Sequence, residues 1–313
     1  MNRLNLVGAR ELLDVSQLRP VFARHETFHP RFGWLKKGFD KAIERPDVFL
    51  REDTPVILGV GKNMVRSIRY WSLAFKTLQE EQSGRRNASS LVPTELGLDL
   101  LDNQGWDPFL EHPCSLWWLH WNLLKLPCQA TSWYYTFFGF HKFEFSTSDL
   151  TRQLSEYVEL HFPGFSVVEA SLKKDVNCIL RMYGDQGTSI TEDSIDCPFA
   201  ALELIKRAPE KKNYFVMGHK PGLSPEIVAA ACMEFADKYA SGSRTLSLSS
   251  LLYDIGSPGM AFKLTEEAMC EAIDRVSSRF NSIRLGDSSG AIQLSYPSNP
   301  HLLVRKLLDR AYQ

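Results

Sequence analysis

Apolar positions along the chain recur mostly at helical spacing, in short segments punctuated by proline and glycine. Trp34 to Ile43 reads as the first helix, stopped at Arg45-Pro46 because a residue before proline avoids the α region. Asp53-Thr54-Pro55 is a helix start with proline in the first turn, and Gly59 and Gly61 keep that helix short. Asn63 to Gln79 then predicts a long amphipathic helix. Counted at about 100° per residue, Met64, Ile68, Trp71, Phe75 and Leu78 share an arc of roughly 80°. Lys62, Arg66, Arg69 and Lys76 gather on the opposite side. Helix, short helix, glycine turn and long helix is the order of a helix-turn-helix. A polar loop from Gln82 to Ser90, with Arg85-Arg86, leads into Leu91 to Gly97 as a small wing.

The same grammar returns further on. Asp107 to Phe145 is aromatic-rich and reads as a buried helical connection. Ser146-Thr147-Ser148-Asp149 caps a helix to about His161, broken by Phe162-Pro163-Gly164. A helix from Val168 to Tyr183 follows, with Leu172, Val176, Ile179 and Tyr183 on one side and Lys173, Lys174, Asn177 and Arg181 on the other. Gly184 to Ile195 reads as a loop, Asp196 to Lys206 as a short helix, and Asn213 to Gly218 as a strand. Ser224-Pro225-Glu226 starts a helix to about Tyr239. Helices over Leu246 to Tyr253 and Thr265 to Phe280 precede a hairpin at Ile283 to Leu294, and His301 to Ala311 closes the chain as a helix. The predicted fold is mainly α with small β-hairpins, in tandem winged-helix or helix-turn-helix-like units. These span 1–105, 106–195 (the aromatic-rich unit with its own helix-turn-helix segment) and 196–313.

Charge changes where to look for a partner. The chain of 313 residues has a net charge of −1, so nucleic-acid binding would rest on local patches. Between Thr54 and Gln79 there are four basic residues and no acidic one. The six cysteines (Cys114, Cys128, Cys178, Cys197, Cys232, Cys270) form no CxxC pair and read as reduced, buried thiols. No apolar run reaches the roughly 18 residues that span a bilayer, and Met1 to Val15 lacks a signal-peptide core. The expected location is the cytoplasm, with no membrane partner.

Two catalytic signatures fail on local chemistry. His25-Glu26-Thr27-Phe28-His29 matches HExxH, but that motif needs a continuous helix, and Pro30 pushes His29 out of one. Gly59-Val60-Gly61-Lys62-Asn63 lacks the first glycine of a P-loop, at Val56, and the Ser/Thr that binds magnesium, at Asn63.

The segments His25 to Phe28, Arg31 to Lys37, Leu58 to Val65, Ile68 to Trp71, Leu172 to Val176, Arg181 to Tyr183 and Asp196 to Phe199 resemble domain-of-unknown-function family 4007. The resemblance runs from about Arg24 to Tyr296. It implies an SspB-like component of bacterial DNA phosphorothioation systems, which also serve phage defence. It implies as partners double-stranded DNA, a cysteine desulfurase, an ATPase and a phosphoadenosine-phosphosulfate-reductase-like protein. The activity implied is DNA nicking, an endonuclease step that opens one strand to sulfur transfer. Such chemistry takes acid/base groups and a divalent metal, magnesium or manganese. His25, Glu26 and Arg31 are the candidate catalytic residues, with the metal and its ligands unknown. Lys36, Lys37, Lys62, Asn63, Arg66, Arg69, Lys76, Lys173, Lys174, Asn177 and Arg181 are the candidate DNA contacts. The alternatives are a non-catalytic DNA-binding adaptor that recruits the modification enzymes, and a transcriptional regulator.

Overall fold

Three times along the chain, helices packed on one another are followed by an antiparallel hairpin. The computed structural model describes residues 17–82, 89–184, 197–288 and 290–313. The Arg85-Arg86 loop lies outside them. Leu18 forms a parallel bridge to Cys128.

The first unit holds α1 (Trp34–Glu44), α2 (Thr54–Leu58), α3 (Lys62–Ala74), β1 (Leu78–Gln82) and β2 (Ser89–Pro93). β1 and β2 pair antiparallel with Leu78 opposite Pro93. Gly59, at φ 62°, ends α2 as the glycine pattern predicts. The expected helix to Gln79 is corrected. α3 stops at Ala74 because Lys76 takes a left-handed φ of 60° and the Thr77 N–H donates to Ser72 O. The apolar spacing continues through Phe75 and Leu78 with no glycine or proline to mark the break. α4 (Glu95–Leu101) follows, its N-terminus capped by Thr94 Oγ1 accepting from Gly97 N.

The aromatic segment is the hub. α5 (Pro113–Leu124) is buried from Cys114 to Leu124. α6 (Thr131–Tyr134) runs into a π-helical turn at Tyr135–Gly139. Trp117, Trp121, Trp133, Tyr134, Phe137 and Phe138 are among the most fully buried large side chains.

The second unit consists of β3 (Glu144–Phe145), α7 (Thr147–His161), α8 (Glu169–Tyr183), a 3-10 turn at Pro198–Leu202, β4 (Ile205–Ala208) and β5 (Lys212–Phe215). Ser146 and Asp149 form a reciprocal capping box at the start of α7. The sheet order is β3-β5-β4. Glu144 pairs with Tyr214, so this sheet joins strands from both sides of 195–196. The helix expected up to Lys206 is only the 3-10 turn, because Ile205 already pairs with Phe215.

The third unit begins with α9 (Pro225–Tyr239), capped by Ser224 as its sequence predicts. Then come β6 (Thr245–Ser247), α10 (Leu248–Tyr253), α11 (Pro258–Phe262), α12 (Glu266–Ser277), β7 (Arg284–Ser288) and β8 (Ala291–Ser295), with α13 (His301–Ala311) last. The helix expected from Leu246 opens as strand β6, paired with β8. The sheet order β6-β8-β7 repeats that of the second unit.

One continuous apolar core joins the units. The rings of Phe75 and Phe199, from the first and second units, stack at 4.8 Å and 6°. Among the described residues, no helix is long and apolar enough to cross a membrane. Five cysteines are buried and Cys270 is half-buried, all of them free thiols.

Candidate nucleic-acid interface

His25, Glu26 and Arg31 stand in three different environments. Glu26 and Thr27 adopt left-handed φ of 51° and 69°, so the HExxH match lies on a turn, not a helix. His25 is fully buried. Its Nε2 lies 2.8 Å from Asp175 Oδ1, and its ring packs against Tyr70, Trp71 and Trp133 at 5.7 to 6.2 Å. Asp175 Oδ1 also accepts from the Ala23 N–H at 2.8 Å, and Oδ2 from Ser132 Oγ at 2.6 Å. Glu26 is half-buried, with Arg66 Nη1 3.5 Å from its Oε1. The Arg31 guanidinium lies 5.6 Å from the ring centres of both Phe28 and Trp34. These three residues do not form one solvent-facing group, since His25 points into the core.

The basic stripe of the first unit is thinner than its spacing suggests. Lys36 is buried, its Nζ donating to Asp40 Oδ1 at 2.7 Å and to Asn103 Oδ1 at 2.8 Å. Lys76 is turned inward as well. Its ammonium donates to the carbonyls of Asn122 and Lys125, and burial pushes its pKa down to about 7. Both ammonium groups are thus directed to protein acceptors, away from the solvent-facing stripe that the helical spacing predicts. Lys37 is exposed but caps α2 through Leu58 O at 3.0 Å. Arg69 is half-exposed and paired with Glu80 at 2.7 Å. Lys62, Asn63 and Arg66 remain on the open face of α3.

α8 is the cleaner surface. Leu172, Asp175, Val176, Cys178, Ile179, Met182 and Tyr183 turn inward, whereas Lys173, Lys174, Asn177 and Arg181 are all exposed. Of the two acids that dilute this segment's charge in the sequence, Asp175 is bonded to His25 and Ser132 inside the core, while Glu169 is exposed in the first turn of the helix. Beside α8, a cleft of about 510 Å³ opens toward the hairpin. Asn177 and Arg181 line it from the helix, and Arg207, Lys211, Lys212 and Asn213 from the β4–β5 hairpin. Sequence reasoning missed the hairpin residues. The signal was there, as two basic pairs, Lys206-Arg207 and Lys211-Lys212, flanking Pro209-Glu210.

Among the described residues, no three histidine, cysteine or carboxylate side chains converge to hold a metal.

The family profile described as "Protein of unknown function (DUF4007)" matches residues 22–312. The chain belongs to the DUF4007 family. Two solved structures are similar to this DUF4007 chain over most of its length, one described as "Magnesium ion-bound SspB crystal structure" and one as "SspB crystal structure". Each is 37% identical, covers 94% of this chain and 88% of its own, and has a TM-score of 0.88. No curated protein matches. The magnesium ion belongs to that SspB structure; the fold it shares with this chain, mainly helical with small antiparallel sheets, is common to both.

Proposed function

We propose that this protein binds duplex DNA as a component of a DNA phosphorothioation system, with α8 as its recognition helix. The observation that carries this reading is the split character of α8, whose only aspartate is buried while its two lysines, Asn177 and Arg181 face solvent. Lys173 and Lys174 have no ion pair among the described residues. The order strand, two or three helices, hairpin, with the first strand added beside the last, supports reading the second and third units as winged helices. Lys62, Asn63 and Arg66 on α3 give the first unit a smaller contact surface. The system itself, and the sulfur-transfer proteins as partners in a cytoplasmic setting, rest on the SspB-like resemblance.

Nicking is the finer part of that resemblance. The burial of His25 favours the second reading, a DNA-binding adaptor that recruits the modification enzymes. Two measurements test these readings. Fluorescence anisotropy on a labelled duplex over a salt series should give a steep slope for the wild type, and a slope shallower by about two units for Lys173→Ala/Lys174→Ala. An unchanged slope overturns α8 as the recognition helix. Relaxation of supercoiled plasmid, with and without EDTA, separates nickase from adaptor, and nicking retained by a folded His25→Ala protein rules His25 out of the chemistry.

A further inference from the structure

Two of the cavities differ in what they offer. One, of about 490 Å³ between α5, α9 and α13, is walled by Trp118, Trp121 and Tyr134, and its charges are matched internally. Lys125 pairs with Glu234 at 2.7 Å, and Arg305 with Asp99. The cleft beside α8 has a different lining. Arg181, Arg207, Lys211 and Lys212 all line it, and no carboxylate does so among the described residues. Lys212 is partly neutralised, 2.8 Å from Glu144 and 3.9 Å from Glu210. Arg207 and Lys211 are exposed and have no ion pair among the described residues.

The hairpin is built to keep these charges where they are. Arg207 stands directly opposite Asn213 in the ladder, and Asn213 is buried. At the tip, Glu210 and Lys211 both take a left-handed φ of 61°, a conformation that normally goes to glycine or asparagine in such turns. Two consecutive strained residues at a tip that carries a lysine fit a pattern in which strain collects at functional positions.

We propose that this cleft grips the sugar-phosphate backbone of one DNA strand, with Arg207 and Lys211 as phosphate contacts added to those of α8. The proposal rests on the DNA-binding reading above and deepens it. The lining chemistry selects phosphate over base. An extruded base is held by stacking on aromatic or apolar side chains, and the cleft offers none but Leu180. Guanidinium and ammonium groups around amide side chains are instead phosphate-binding chemistry. A free nucleotide carries the same phosphates, and the test separates the two sources.

The test uses the full chain, a labelled duplex and a fluorescent ATP analogue. Arg207→Gln/Lys211→Gln changes only exposed side chains. It should lower duplex affinity roughly thirtyfold at physiological salt and reduce the salt slope by about two units. Arg207→Lys/Lys211→Arg should restore the slope. If the wild type binds duplex with a steep slope and Arg207→Gln/Lys211→Gln binds identically, the cleft proposal is wrong while the α8 reading stands. If the wild type does not bind duplex at all, the reading beneath it is wrong. If the ATP analogue binds the wild type but not Arg207→Gln/Lys211→Gln, and duplex affinity is equal in both, the cleft serves a free nucleotide and the proposal is overturned.

Discussion

His25 and Asp175 lie 150 residues apart in the chain, and their side chains meet at 2.8 Å inside the core. With the Ala23 N–H and Ser132 Oγ on the same carboxylate, this contact fastens the segment before α1 to the middle of α8. Removing one partner of a buried pair leaves the other unsatisfied and costs about 3–5 kcal/mol. His25→Ala and Asp175→Ala should each lower the urea midpoint by a corresponding amount. A loss below about 1 kcal/mol in both would mean that the pair does not anchor the segment.

Lys76 separates helical counting from the actual surface. Because its ammonium is bonded to Asn122 and Lys125 carbonyls, Lys76→Met should leave the salt slope of DNA binding where it is. Arg66→Ala, on the open face of the same unit, should flatten the slope by about one unit. A reduced slope in Lys76→Met would return this residue to the interface.

Three lysines give the fold a pH signature. Burial pushes Lys263 down to about 7, helped by the neighbouring Lys220 charge; burial also lowers Lys220 to about 8 and Lys76 to about 7. The ordinary lysine value in the unfolded chain is 10.5. Above pH 7 the unfolded state therefore holds more protons than the folded state, and stability rises with pH. Below pH 7 both states are protonated and the gain is absent. The rise ends near pH 9, where thiols ionise in the unfolded chain while burial holds Cys128, Cys178, Cys197 and Cys232 protonated. Thermal melts from pH 7 to 8.5 should show an increasing Tm, with a shallower increase in Lys263→Met. A Tm that falls over this range contradicts the assignment.

Gly97 is the tightest backbone contact beneath the first hairpin. A Cβ there would lie 2.1 Å from Thr77 O, a backbone atom with nowhere to go. Gly97→Ala should cost about 1–3 kcal/mol or more, read as a drop in urea midpoint. A midpoint within error of the wild type would show that α4 can slide away from the strand.

Elements announced by local chemistry were legible in the sequence. The Ser146 capping box, the Ser224-Pro225 start and the Gly59 stop all sit where their residues indicate. The aromatic hub was legible as burial because little else explains Trp117, Trp118 and Trp121 within a single helix. What escaped depends on distant partners. Nothing local to Lys76 says that two carbonyls near Lys125 will draw it inward. The two-residue strand β3 has no pattern of its own, and only pairing with Tyr214 and Asn213 makes it a strand. Likewise the basic face of α8 was readable from its period, whereas the cleft needed the hairpin to fold back against it.

α8 is held at a second point too. Its last residue, Tyr183, meets His120 Nδ1 through its hydroxyl at 2.8 Å, and His120 Nε2 lies 2.9 Å from Ala261 O. Burial pushes the pKa of His120 down to about 4, so the imidazole is neutral in this bridge near neutral pH. Asp175 and Tyr183 are eight residues apart, about 12 Å along the helix axis. A rod pinned at two such points can neither roll nor slide. Its outward side chains then keep a fixed spacing, so that under the proposed DNA-binding role the bending needed for a close fit would fall on the nucleic acid.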